Sequence, residues 1–318
     1  MCVYTNRRIN MDKRKKEAYT SDDMAMRIPA LSDIVFKFIF GSEESVDILK
    51  DFINAVLVDA GFPEIESVSI VNPVNVKTYL DEKITVIDTR AKDQSGNMYN
   101  VEVQIRSQAD YQDRSLYYWA KTYSEQLKTG HEYGVLHKVI SISILDFMLF
   151  PEDVPFHSCF MLRENGKPHY VLTEDCTLHY LEVPKLNDEP KTDVEKWLYL
   201  LKHADEEDET MKVLLDDDSM FQAAKKRYDY FIADEKARQA YLAREMFLHD
   251  QATNIAEARR KGLAEGREEG REEGKEEGRE EGKREQTIAI ARKMKELHVS
   301  IDQISKATGL HTEEIEAL

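Results

Sequence analysis

The sequence predicts a mixed α/β core followed by an all-helical C-terminal extension, and three observations carry that prediction. Up to about residue 190, stretches such as "NMYNVEVQIR", where apolar and polar residues alternate, and "KVISISILDFML", where β-branched residues run on, are interleaved with helical stretches. From Lys191 onward every periodic segment has helical spacing. Near the C terminus glycine then recurs at every fourth position inside a highly charged stretch.

The elements follow in order. Residues 1–27 are polar and read as an N-terminal arm, with Arg7, Arg8 and Lys13 followed by no apolar segment, so no secretory signal is expected. A core is expected over 28–190. "LSDIVFKFIFG" and the segment after Ser45 are helical; Ser45 can cap a helix in which Val46, Leu49, Phe52, Ile53, Val56 and Leu57 share one face, ending near Gly61. "IESVSIVNP" is a short strand stopped by Pro73. "EKITVIDTRAKD" and "NMYNVEVQIR" are two strands joined by a polar turn carrying Gly96. An aromatic-rich helix is expected from about Ala109 to Leu127, followed by a buried central strand over "KVISISILDFML" and two more strands over "FHSCFMLRE" and "HYLEVPKL". The sheet should hold about five strands flanked by helices.

Beyond the sheet, 191–260 is expected as a helical extension, 261–286 as the glycine repeat and 287–318 as a small terminal helical unit. In the repeat, glycines at 262, 266, 270, 274, 278 and 282 cost about 1 kcal/mol each relative to alanine, partly offset by i,i+3 pairs such as Glu268–Arg271. Two readings stay open: a glycine stripe for self-association, or a solvated spacer. The terminal unit has a helix–glycine–helix pattern around Gly309. Its last segment, "TEEIEAL", is acidic where a recognition helix should be basic, which favours packing or homo-oligomerisation over DNA binding.

Bulk composition sets the outer limits. The chain has 318 residues, 33% of them charged, and its longest apolar run, Val139 to Phe150, is too short to span a bilayer and contains Asp146. Three cysteines without a CxxC pair suit a reducing, cytoplasmic setting, and nine histidines without HxH or HExxH spacing point away from zinc. The net charge of −17 argues against a broad basic surface for nucleic acid. Much of the excess is localised in "ADEEDET", in Asp216 to Asp218 and in the repeat, while the segment from Lys83 to Lys138 is close to neutral.

The sharpest local feature is a hairpin. If its turn centres on Ser95, an antiparallel register sets Asp88 opposite Glu102, with Cβ atoms about 5 Å apart; Gln104 leaves the same face about 7 Å further along. Two facing acids repel unless a cation lies between them, and hard oxygen donors suit Mg²⁺ or Mn²⁺. The plainer reading is the solvent face of an amphipathic hairpin, and spacing alone leaves both open.

The stretches "LSDIVFKFIFG", "EKITVIDTRAKDQSGNMYNVEVQ", "DRSLYYWAKTYSEQLKTGHEYGVLHKVISISILDF" and "GLHTEEIEAL" occur in this order, and with them the chain resembles the recombination-promoting nuclease/transposase family, a branch of the PD-(D/E)XK nucleases. The likeness is best over about residues 30 to 185. It implies a PD-(D/E)XK restriction-endonuclease-like core and Mg²⁺-dependent (or Mn²⁺-dependent) hydrolysis of DNA phosphodiesters linked to recombination or mobile DNA. It also implies Asp88 and Glu102 as metal ligands, and Gln104 as a water- or shell-positioning residue where the wider superfamily carries lysine. With glutamine there, a transition-state cation must come from elsewhere; Lys83 and Arg106 are nearby candidates. Asp33 is either a further acid of the site or a helix N-cap acid. Arg114 and Lys121, about two turns apart on the aromatic helix, either contact phosphates or form a solvated face. The rival functions are a catalytically inactive oligomeric DNA-binding or scaffold protein on a nuclease fold, and a helix-turn-helix regulator.

Overall fold

A computed structural model describes residues 27–71, 89–107 and 109–318 of the chain. Its centre is a six-stranded mixed sheet in the order β1-β2-β3-β4-β6-β5. The strands are β1 (Val68–Ile70), β2 (Thr89–Asp93), β3 (Met98–Gln104), β4 (Val139–Leu145), β5 (His157–Arg163) and β6 (Val171–Glu182). β3, β4 and β6 run parallel, and the other neighbours pair antiparallel. All seven residues of β4 are buried, as its β-branched run predicts for a strand covered on both faces. The sheet has six strands rather than about five; the three-residue "VSI" at Val68–Ile70 pairs with β2, and β6 begins well before "HYLEV".

The hairpin between β2 and β3 has its register set by the turn. Asp93 Oδ1 accepts the backbone N–H of Ser95 at 2.8 Å and of Asn97 at 2.9 Å, while Oδ2 accepts Asn97 Nδ2 and the Tyr99 hydroxyl. Gly96 sits at φ +92°, and a Cβ there would stand 2.7 Å from the His137 ring, so only glycine fits. The pairs Lys92↔Met98 through Thr89↔Val101 therefore centre on Ser95, as the sequence predicts.

One face of the sheet, carrying Tyr99, Val101, Ile142 and Ile144, packs on α1 (Asp33–Phe40) and α2 (Val46–Asp59). The same core continues past residue 190 through α4 (Asp193–His203), α5 (Glu209–Asp217), α6 (Ser219–Ala233) and the start of α7 (Glu235–Glu296). Trp197 is fully buried between Phe40, Phe52 and Phe221, and side chains of this size contribute about 1.5–3 kcal/mol each on burial. Thr192 starts α4 with a capping box shared with Glu195, a local signal legible in "TDVE". The helices after Lys191 thus complete the core up to Glu245, where the first compact unit ends.

The opposite face of the sheet is covered by α3 (Tyr111–Glu125). Trp119 donates to the Val139 carbonyl at 2.9 Å, and Ser115 and Tyr180 share a hydroxyl hydrogen bond of 2.7 Å.

The second unit, residues 246–318, holds the rest of α7, then α8 (Ile301–Thr308) and α9 (Thr312–Glu316). The glycine repeat lies entirely within helical α7, and nothing stands within 4 Å of where a Cβ would project from its six glycines. The terminal unit has a small core of Ala291, Ile304 and Ile315. Gly309, in the left-handed region at φ +76°, ends α8, and Lys295 Nζ donates to the Ile315 and Glu316 carbonyls at the end of α9. His311 is the N-cap of α9, which starts at Thr312. No helix among the described residues is long and apolar enough to cross a membrane.

Candidate active site

Alternation along β3 sends Val101 to the core and Asn100, Glu102 and Gln104 to the other face. That polar face is only partly open to water, because α3 lies over it and gives each of the three a partner. Asn100 Nδ2 donates to Thr122 Oγ1 at 3.0 Å. The Tyr111 hydroxyl donates to Glu102 Oε1 at 2.5 Å, and Ser143 Oγ, from the cross-strand partner of Glu102 on β4, donates to the same oxygen at 3.2 Å. Arg114 Nη2 donates to Gln104 Oε1 at 3.0 Å, and the other end of that amide donates through Nε2 to the Arg106 carbonyl at 3.0 Å. The hairpin's polar pair is thus half-buried, and both of its side chains are held by protein partners.

Tyr111 is the hinge of this arrangement. It is fully buried, with Phe147 and Tyr180 edge-on to its ring and the Arg114 guanidinium 5.0 Å from the ring centroid. Burial, followed by the charge of Glu102, raises its pKa far above the ordinary phenol value, so it stays a donor at all working pH. Two hydroxyl donors on one oxygen fix the orientation of the Glu102 carboxylate.

Asp88 and Lys83 lie outside the described residues. Thr89, the residue after Asp88, pairs with Val101, the residue before Glu102. Among the described residues, no three His, Cys, Asp or Glu side chains are grouped so as to hold a metal ion.

The remaining sequence candidates are engaged elsewhere. Asp33, the first residue of α1 after the N-cap Ser32, accepts Arg244 Nε at 2.9 Å and Nη2 at 2.6 Å on Oδ2. Arg106 Nη2 stands 3.8 Å from Glu245. Consecutive residues of α7 therefore hold both. Lys121 lies 3.9 Å from Glu125, which also receives Arg90 at 3.6 Å. Lys37, a lysine only 3% exposed, packs near Gly41 and Thr89 on the Val101 side of the sheet.

Sequence reasoning missed Tyr111, Ser143 and Arg244. The first had a usable signal: Tyr111 and Arg114, three apart at the start of a helix that follows β3 directly, must share a face. The other two depend on strand pairing and on a contact across 211 residues.

A second buried polar chain lies at the β5–β6 edge. Asp59 meets His157 Nδ1 at 2.5 Å, His157 Nε2 meets His179 Nδ1 at 2.9 Å, and His179 Nε2 faces Cys159 Sγ at 4.0 Å. Burial lowers the His179 pKa to about 3 and raises that of Cys159 to about 11, so neither is charged near neutrality. A nearby cleft of about 470 Å³, lined by Asp51, Asp59, Glu64, Asp193 and Asp218, is too acidic to receive a phosphodiester backbone.

Residues 30–258 match the model of the PD-(D/E)XK nuclease family transposases. Neither a curated protein nor a solved structure matches the chain.

Proposed function

We propose that this chain, which belongs to the PD-(D/E)XK nuclease family transposases, is a divalent-metal-dependent DNA endonuclease acting in recombination or mobile-element chemistry. The observation that carries the reading is the held carboxylate: Glu102 stands at the inner edge of β3, fixed through Oε1 by Tyr111 and Ser143, one residue beyond the Thr89↔Val101 pair. Asp88 lies outside the described residues; with the pairing expected from the sequence, it and Glu102 would supply the hard oxygen donors that Mg²⁺ or Mn²⁺ takes. Glu102, anchored by hydroxyl groups, fits such an ion. A divalent cation bound there lowers the pKa of a coordinated water and stabilises charge on a phosphoryl oxygen.

In the reaction, the water oxygen adds to phosphorus, the bond from phosphorus to one ester oxygen breaks, and the departing oxygen takes up a proton. One water and one phosphodiester give a phosphomonoester and a hydroxyl. Glu102 and Asp88 orient the site, while α3 shields it on one side.

The second reading is a non-cutting DNA-binding or scaffold protein on the same fold. It is favoured by Gln104, which occupies the lysine position and has both ends of its amide bonded within the protein. Homo-oligomerisation through the C-terminal helices belongs to either reading. The glycine column bears on how it would occur. Successive glycines four apart drift about 40° around an α-helix, so a straight partner helix can follow only two or three of them.

Relaxation of supercoiled plasmid with Mg²⁺ or Mn²⁺ tests the proposal, comparing the intact chain with Asp88→Ala and Glu102→Ala. Nicking that needs metal and disappears in both variants supports the nuclease. Equal nicking by all three assigns it to a contaminant or to another site. DNA binding without nicking selects the scaffold.

A further inference from the structure

Resting on the nuclease reading, we infer that Arg114 supplies the positive charge that lysine provides in other members of this superfamily, and that Gln104 is the positioning residue that aims it. The cation has moved from the strand to the covering helix.

Arg106 extends from the same strand end, but its guanidinium is drawn to Glu245 and its carbonyl serves Gln104. Lys37 is on the opposite face of the sheet, beside Thr89 and Gly41. Lys121 lies two turns along α3 and is associated with Glu125. Arg114 differs from these in that its charged group is bonded to the glutamine at the lysine position, Nη2 donating to Oε1 at 3.0 Å.

Geometry extends that contact toward Glu102. The Arg114 guanidinium lies over the Tyr111 ring at 5.0 Å, and the hydroxyl of that same ring is bonded to Glu102 at 2.5 Å. Cation and ring thus sit together on the first turn of α3, and the ring hydroxyl links them to the Glu102 carboxylate on β3. The ring holds the guanidinium plane, and Gln104 holds one of its edges. Gln104 is suited to this because its amide oxygen accepts from Arg114 while its amide nitrogen is tied to the Arg106 carbonyl, which prevents the amide from flipping. A lysine at 104 would repel Arg114, whereas a glutamine seats it. Glutamine at this position is therefore the partner of a relocated cation and not the loss of one.

The test uses the full chain in five forms: wild type, Glu102→Gln, Arg114→Gln, Gln104→Lys, and the double variant Gln104→Lys/Arg114→Gln. Plasmid nicking, metal-free DNA binding at a series of salt concentrations, and thermal midpoint are measured for each. Arg114→Gln should lower the nicking rate about 10²–10³-fold, the usual cost of removing one group that stabilises developing charge. It should also lower the salt slope of DNA binding by about one, the mark of a lost phosphate contact that a merely structural residue would not leave. Gln104→Lys alone should slow nicking by setting two cations together, and the double variant should recover to within about tenfold of wild type, since it restores one cation on the strand.

Wild-type rate and salt slope retained in Arg114→Gln would overturn the inference while the nuclease reading stands. Loss in Arg114→Gln without recovery in the double variant, at unchanged thermal midpoint, would also overturn it, assigning Arg114 to Tyr111 support. Wild-type protein that nicks no faster than Glu102→Gln would overturn the nuclease reading itself, and this inference with it.

Discussion

Glu102 and Glu268 are the same side chain in two settings. The first accepts Tyr111 and Ser143 beneath α3, which also supplies partners to Asn100 and Gln104. The second reaches Arg271 at 2.5 Å on a helix whose glycines have nothing within 4 Å of a projected Cβ. Exposed i,i+3 pairs contribute only a few tenths of a kcal/mol, whereas hydrogen bonds to a partly buried carboxylate contribute about 1.5–3 kcal/mol each. The comparison teaches that polarity in the sequence says little about its consequence, which depends on whether a second element covers the residue.

The largest effect that sharpens this contrast should come from acid. In the unfolded chain His179 takes up a proton near its ordinary value of 6.5, while burial keeps it neutral in the folded state down to about 3. His157, also pushed down by burial against the opposing pull of Asp59, acts in the same direction. The unfolded state therefore binds more protons across this window, and stability should drop by a few kcal/mol as pH falls from about 6.5 toward 4. Urea midpoints against pH should show a shallower slope for His179→Gln than for wild type; equal slopes would detach the effect from this chain of residues.

Next in size is Arg244→Ala. It leaves Asp33 without its guanidinium, at a cost of about 2–3 kcal/mol, below that of a fully buried pair because a third of the Asp33 side chain remains in water. Calorimetry should show a midpoint about 5–10 °C lower. Asp33→Asn should lose stability more than nicking rate; the reverse order would place Asp33 in the chemistry.

Tyr111→Phe should be milder, about 1–2 kcal/mol, since Ser143 still holds Glu102. Nicking should slow about tenfold with unchanged DNA affinity, measured on the same plasmid. An unchanged rate would mean that the carboxylate does not need its orientation fixed.

The smallest effect belongs to the repeat. Gly270→Ala should strengthen α7 locally by about 1 kcal/mol, read as a rise in helical circular dichroism on warming, and leave nicking and the unfolding of residues up to Glu245 unchanged. A change in nicking would show that the repeat is coupled to the site.

Much of this was legible beforehand. The β2–β3 hairpin could be read from "DQSG" because the Asp93 carboxylate, the polar turn and Gly96 are local devices, and their register follows from the turn itself. The buried β4 was legible from its β-branched run, and α3 from its aromatic-rich helical stretch. Arg114 was legible as a basic residue on α3, but its partner was not. Its contact with Gln104 needs β3 and α3 to pack at one particular height, and nothing local sets that height. Asp33 shows the same limit more strongly, since its partner lies 211 residues away.

By itself the sequence determined the period of each element, the turn that centres on Ser95, the family, and the face shared by Glu102 and Gln104. These depend on φ/ψ preferences and side-chain alternation, which act over a few residues. The tertiary structure alone decided that this face is covered by α3, that Tyr111 and Ser143 converge on one carboxylate oxygen, and that Arg114 seats on Gln104 while Arg106 turns toward Glu245. Periodicity tells which residues look the same way; only packing between distant segments tells what they look at.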